Sequence, residues 1–139
     1  MAVERLLILI KPDAVERKLA GELLSRIERR GFVLRAAKLV HVDRKLGETH
    51  YAEHKEKPFF GELVEFITSG LTLALVIEGE GAIATMRTTI GATNPADAEP
   101  GSIRGDLASS MPNNLVHGSD SPESAAREVE LWFSDDELV

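Results

Sequence analysis

The run Leu6-Leu7-Ile8-Leu9-Ile10, stopped at once by Lys11-Pro12-Asp13, constrains this chain more than any other stretch. A strand that alternates apolar and polar residues has one wet face. An unbroken apolar run needs cover on both faces and belongs at the centre of a sheet. Proline then ends the strand, because it has no N–H to give to a ladder. Lys11 emerges where the strand stops, and strand ends are where folds that mix helix and sheet present groups to ligands.

Val15, Leu19, Leu23 and Ile27 recur every four residues, with Glu22 and Arg26 on the other side and Gly31 as a stop. That spacing predicts one amphipathic helix. Residues 32 to 42 mix β-branched, apolar and basic side chains, as a less buried strand nearer a sheet edge does. His50-Tyr51-Ala52-Glu53-His54 spells H-x-x-E-H, which on one helix would set two histidines on one face for zinc. The third ligand acid should follow on a neighbouring helix, yet Phe59-Phe60 and the apolar helix through Ile67 show core spacing, so no zinc is expected.

Leu71 to Ile77 is a second apolar run, and Gly79-Glu80-Gly81-Ala82-Ile83-Ala84 after it spells G-x-G-x-x-A, a dinucleotide-binding fingerprint variant. Such a unit needs a second parallel strand ending in an acid about twenty residues on. Residues 91 to 101 hold two prolines and read as loop instead, so these glycines are expected to be turn punctuation. A helix from Ala82 to Ile90 buries Ile83, Met86 and Ile90, with Arg87 at the stripe's edge. The segment Thr93 to Asp106 is long for a loop in a compact domain, and long ordered loops are frequently functional. It carries a further cation, Arg104.

Asn114-Leu115-Val116-His117-Gly118-Ser119-Asp120-Ser121 reads as a short strand delivering a histidine into a turn. Gly118 removes bulk beside the ring, so a ligand is expected to approach it closely. Ser121-Pro122-Glu123 is a helix start, and Ala125, Val129, Trp132 and Phe133 form the apolar stripe that follows. Glu128 flanks that stripe and faces back toward the turn, where a carboxylate would orient the imidazole. Asp135-Asp136-Glu137 reads as a solvated helix end. The order strand, helix, strand, two helices, strand, helix, short strand, helix predicts an α+β sandwich, with helices on one face of a mostly antiparallel sheet.

With 139 residues, the chain is expected to be a single domain spanning 1–139. It has no cysteine, which suits a reducing compartment, and five apolar residues before Lys11 are too few for a signal segment or a membrane span. Cytoplasm is the expected location, and no membrane partner is expected. A net charge of −7 argues against nucleic acid as a main partner, since backbone binding needs a clustered basic face.

Lys11, Arg87 and Arg104 as cations, Thr93 and Asn114 as neutral hydrogen-bonders, and His117 form the set that phosphate wants. No G-x-x-x-x-G-K-[ST] occurs, so the phosphoryl chemistry expected here proceeds without a P-loop. A neutral imidazole is a competent nucleophile near neutral pH, and a carboxylate on its other nitrogen fixes the tautomer.

Lys11-Pro12-Asp13, Tyr51, Pro58-Phe59-Phe60, Gly91-Ala92-Thr93-Asn94-Pro95, Ser102-Ile103-Arg104-Gly105-Asp106 and Asn114 to Ser121 together closely resemble the nucleoside diphosphate kinase family, almost end to end. The resemblance implies a ferredoxin-like βαββαβ core, a four-stranded antiparallel sheet with flanking helices. It also implies a ping-pong transfer in which a nucleoside triphosphate phosphorylates His117 and a nucleoside diphosphate then takes the phosphoryl group. Lys11, Tyr51, Arg87, Thr93, Arg104 and Asn114 would hold phosphates and sugar, and Phe59 would stack on the base. Glu128 and Ser119 would position the imidazole, with Lys11 also counted among the catalytic groups.

Magnesium (Mg2+) would ride on the nucleotide rather than in a protein cage. The resemblance further implies a homo-oligomer, with a hexamer favoured over a tetramer. Ala14, Leu71 and Asn113 depart from the family's usual residues, and the short C-terminal end leaves open the subunit contacts that longer relatives make with their tails. The competing expectation is a non-catalytic nucleotide-sensing or interaction module, against which the intact His117, Glu128 and arginines count. A triad of His117, Ser119 and Asp120 fails because residues so close in sequence cannot line up as nucleophile, base and orienter.

Overall fold

The computed structural model describes residues 2–139. Strands β1 (Val3–Ile10), β2 (Val33–His41), β3 (Leu71–Glu80) and β4 (Val116–Gly118) form one sheet in the order β2-β3-β1-β4. Between β1 and β2 lie α1 (Pro12–Glu16) and α2 (Ala20–Glu28), and between β2 and β3 lie α3 (Arg44–His50) and α4 (Phe60–Ile67). α5 (Ala82–Ile90) and α6 (Ile103–Leu107) precede β4, and α7 (Pro122–Trp132) follows it. All pairings are antiparallel, which with this order is the expected ferredoxin-like βαββαβ arrangement.

The apolar run of β1 explains its central place. Leu6 to Ile10 are fully buried, with β3 hydrogen-bonded along one side from Val3↔Glu80 to Ile10↔Leu73 and β4 along the other. Because side chains alternate across a strand, Leu6, Ile8 and Ile10 share a cluster with Leu23 and Ile27 of α2 and Ile83, Met86 and Ile90 of α5. Leu7 and Leu9 face the other way, into a cluster with Ile67 of α4 and Val129 and Trp132 of α7. Each such side chain contributes about 1.5–3 kcal/mol by leaving water. Helices therefore cover both faces of the sheet, not the one face that element order alone suggests.

Several local expectations need correction. The helix read across Val15 to Ile27 is two helices, broken where Lys18 takes a left-handed conformation at φ 62°. β3 runs on to Glu80, so Gly79 is a strand residue paired with Glu4, and only Gly81, left-handed at φ 61°, is the turn. The long loop contains α6, started by the Ser102 hydroxyl accepting from the Gly105 N–H. Asp135–Glu137 form a 3-10 turn of their own after Phe133 leaves the helix in extended conformation. His50 closes α3 while His54 sits in the separate 3-10 turn Ala52–His54, so the two do not share one continuous helix face.

Candidate active site

The ends of β1 and β4 meet as neighbours, and this brings distant parts of the sequence together. β4 pairs with β1 through Leu9↔His117, so the histidine stands beside the strand whose next residue after Ile10 is Lys11. α7 starts where the Ser121 hydroxyl accepts from the Ser124 N–H, with Pro122 at its first position, and it carries Glu128 back beneath the ring.

Nε2 of His117 lies 2.8 Å from Oε1 of Glu128. The Ser119 hydroxyl donates to the same Oε1 at 2.8 Å, and the Leu7 N–H donates to Ser119 Oγ at 3.1 Å. Ser119 is thus fully buried and holds Glu128 rather than the imidazole, which removes a serine triad geometrically. Burial alone would push the Glu128 carboxyl up. The hydrogen bond and charge from His117, together with the Ser119 hydroxyl, hold it below its ordinary value. A carboxylate on Nε2 keeps the proton there and leaves Nδ1 as the lone-pair nitrogen, with no protein partner among the described residues.

Lys11, Tyr51, Phe59, Arg87, Thr93, Arg104, Asn114, His117 and Glu128 all line one pocket of about 560 Å³, a volume suited to a nucleotide-sized ligand. Lys11 is 8% exposed and its Nζ donates to Asn114 Oδ1. Burial pushes this ammonium down to about 8, with the Asp13 charge opposing the shift and Arg104 adding to it.

Arg104 is equally buried, and its guanidinium donates from Nε to Asn114 O, from Nη1 to Gly91 O and from Nη2 to Val116 O. This arginine therefore also braces the backbone, leaving one N–H on each terminal nitrogen for a ligand. Burial, reinforced by the Arg87 charge, lowers it to about 10, so it stays cationic at neutral pH. Asn114 is likewise a strap, because its amide donates to Thr93 O at 3.0 Å while its oxygen receives Lys11. Arg87 and Thr93 are exposed at the pocket wall, and Phe59 is exposed at its rim. Burial raises the Tyr51 hydroxyl to about 12, with the Glu128 charge adding, so it remains a donor.

Gly118 lines the same pocket, and a Cβ there would come within 2.8 Å of Ile90 Cδ1, so the glycine also lets the core pack close behind the strand. Sequence reasoning missed His50, which figured only in the zinc spelling. Its buried ring meets His117 edge to face at 4.9 Å, and its Nδ1 accepts from Trp132 Nε1 at 3.1 Å. Burial, with the His117 charge, pushes His50 down to about 3 and keeps it neutral. Its partners lie far away along the chain, so no local signal marks it. Met111, exposed at the pocket's edge, was also not singled out by the sequence.

The family model of nucleoside diphosphate kinase matches residues 4–138. The chain is 60% identical over 136 residues to the nucleoside diphosphate kinase of Halalkalibacterium halodurans, covering 98% of this chain and 92% of that one. It is 61% identical over 131 residues to the Rubrobacter xylanophilus protein of the same name, covering 94% and 98%. Among solved structures, the Aquifex aeolicus nucleoside diphosphate kinase superposes with a TM-score of 0.97 at 43% identity, covering 99% of this chain and 100% of that one. The halophilic nucleoside diphosphate kinase from Halobacterium salinarum, in complex with CDP, gives 0.95 at 46% identity, covering 99% and 92%.

Proposed function

The chain belongs to the nucleoside diphosphate kinase family, whose reaction moves the γ-phosphoryl group from a nucleoside triphosphate to a nucleoside diphosphate, and we propose that in this chain Nδ1 of His117 carries that group between them. The observation that carries the proposal is the Nε2 contact to Glu128, which leaves Nδ1 as the nucleophile on a pocket lined by Lys11, Arg87 and Arg104. In the first half-reaction the Nδ1 lone pair attacks the γ-phosphorus while the bond to the bridging oxygen breaks and the nucleoside diphosphate leaves. In the second, a terminal phosphate oxygen of another diphosphate attacks, and the P–Nδ1 bond breaks.

Nε2 keeps its proton throughout, and the positive charge the ring gains on phosphorylation is offset by Glu128, which Ser119 holds in place. Lys11 and Arg104 answer charge on the phosphates from fixed positions, and Arg87 supplies an exposed guanidinium. Tyr51, Thr93 and Asn114 hold the rest of the phosphate and sugar, and Phe59 offers a ring face to the base.

Magnesium would arrive with the nucleotide and would neutralise phosphate charge there. The pocket's cations Lys11, Arg87 and Arg104 suit a nucleotide's phosphates, on which such an ion would sit. Residues 1–139 act as one domain, a reading supported by the near full-length family match. A homo-oligomer is supported by the exposed apolar residues Val33, Leu34 and Leu39 on the edge strand β2, and the hexamer is favoured on the family resemblance alone. The cytoplasm is the location that a chain without cysteine suits, and no helix among the described residues is long and apolar enough to cross a membrane.

Incubation with γ-labelled triphosphate and magnesium, without acceptor, should give an acid-labile, base-stable label that a nucleoside diphosphate discharges. The label should vanish in His117→Ala. Label persisting in that variant would overturn the assignment.

A further inference from the structure

Asn114-Leu115-Val116 is a γ-turn of the φ-positive kind: the Val116 N–H donates to Asn114 O at 2.9 Å, and Leu115 between them has φ 74°. This is a rare and strained conformation for a branched side chain. It persists only where the surroundings over-determine it, and such strain clusters at working sites. Here the Leu115 side chain is fully buried in the core, which a glycine at this turn would not anchor.

Both backbone polar groups of Leu115 are fixed by the segment that leaves β1. Its carbonyl accepts from the Lys11 N–H at 2.9 Å, and its N–H donates to Oδ2 of Asp13 at 3.1 Å. Arg104 takes the carbonyls on either side, those of Asn114 and Val116. The turn therefore sends the Asn114 side chain to Lys11 and carries the chain on to His117 in β4. Asp13 is the one acidic member of this clasp. Its Oδ1 is buried without a hydrogen-bond partner among the described residues, an arrangement that core packing alone does not call for.

We propose that Asp13 is a positioning residue for phosphoryl transfer: its carboxylate pins the strained turn at Leu115 and so sets Lys11, Asn114 and His117 relative to one another. The inference rests on His117 being the phosphoryl carrier. Asp13 opposes the lowering of Lys11 that burial causes, and Arg104 adds to that lowering. The other titratable groups on the same pocket are His50 on α3, Tyr51, Glu53 and His54 just after it, Glu62 on α4, Arg87 on α5, His117 on β4, Asp120, and Glu128 on α7, and the Phe66 ring of α4 is centred 5.5 Å from Lys11 Nζ.

The test uses the full-length protein, Asp13→Asn and Asp13→Ala, with single-turnover phosphorylation rates measured across pH, nucleoside diphosphate affinity and thermal melts. Asp13→Asn keeps an oxygen for the Leu115 N–H and removes the charge. Its basic limb should move down by about one pH unit, so that the rate at pH 8 falls about five-fold while that at pH 6.5 stays within about two-fold. Asp13→Ala also removes the acceptor and should lose about ten-fold or more at every pH, with diphosphate affinity changed less.

A folded Asp13→Asn with an unmoved basic limb would overturn the proposal. So would a rate loss in Asp13→Ala that merely follows the fraction unfolded at the assay temperature. If Asp13→Ala does not fold, the basic limb of Asp13→Asn decides. Wild-type protein is labelled in parallel: an unlabelled wild type defeats the phosphohistidine reading itself, whereas a labelled wild type with an unmoved limb in Asp13→Asn defeats this inference alone.

Discussion

Replacing Glu128 by glutamine should slow phosphoryl transfer about ten- to a hundred-fold while leaving nucleotide affinity within about three-fold. The geometry dictates how glutamine would sit. Oε1 receives both the His117 Nε2–H and the Ser119 hydroxyl, whose own oxygen is already occupied by the Leu7 N–H. Two donors converge there, so the amide carbonyl must take that place, and the histidine tautomer is preserved. The amide NH2 then falls where Oε2 lies, 3.6 Å from the Arg127 guanidinium, and faces another donor.

What is lost is charge. Hydrogen bonds to ionised groups are worth about 1.5–3 kcal/mol and neutral ones about 0.5–1.5. Only the bond to His117 strengthens as the ring becomes positive during transfer. A loss of about 1.4–2.8 kcal/mol in the transition state corresponds to the stated ten- to hundred-fold. Rapid-quench single turnovers with a labelled triphosphate, alongside calorimetric titration with the diphosphate, separate the two effects. An unchanged transfer rate, or a loss of affinity as large as the loss of rate, would refute the orienting role.

Lys11, brought down to about 8 from 10.5 by burial, should make transfer fall as pH rises through 8. Stability should respond with the opposite sign: between those two values the unfolded chain binds more protons, so the contribution of this group to stability rises with pH. Transfer rates and denaturant melts from pH 7 to 10 check both directions. Base selectivity should be weak, because the rim contributes the exposed ring of Phe59, which suits stacking at about 1–3 kcal/mol whatever the base. Specificity constants for adenine, guanine, cytosine and uracil diphosphates should agree within about two orders of magnitude. A preference near 10⁴-fold would reveal a base-reading group.

Where structure is set locally, the sequence is readable. α5 runs from Ala82 to Ile90 as its apolar spacing requires, bracketed by Gly81 and Gly91, and Ser121-Pro122 starts α7. The chain between α1 and α2 carries no glycine or proline, yet Lys18 turns left-handed there. Its neighbour Arg17 donates to the Leu107 carbonyl, 90 residues away, so the environment of this break is set by packing that local propensity does not see.

The candidate site divides in the same way. Residue types and their spacing point to His117, Glu128 and the cations, because the chemistry of phosphate demands such groups. How Arg104 and Asn114 share themselves between backbone and pocket was hidden, as was the role of His50, since its bond to Trp132 spans 82 residues. Leu115 reads as an ordinary strand residue, and only the clasp around it reveals the γ-turn.

The most direct test of the account is which nitrogen of His117 is phosphorylated. Protein labelled with 15N-histidine, charged with a triphosphate and magnesium and kept at alkaline pH, distinguishes the two isomers by 15N and 31P NMR. Because Glu128 occupies Nε2 at 2.8 Å, the account predicts phosphorus on Nδ1. Phosphorus on Nε2, or on a residue other than His117, would contradict it.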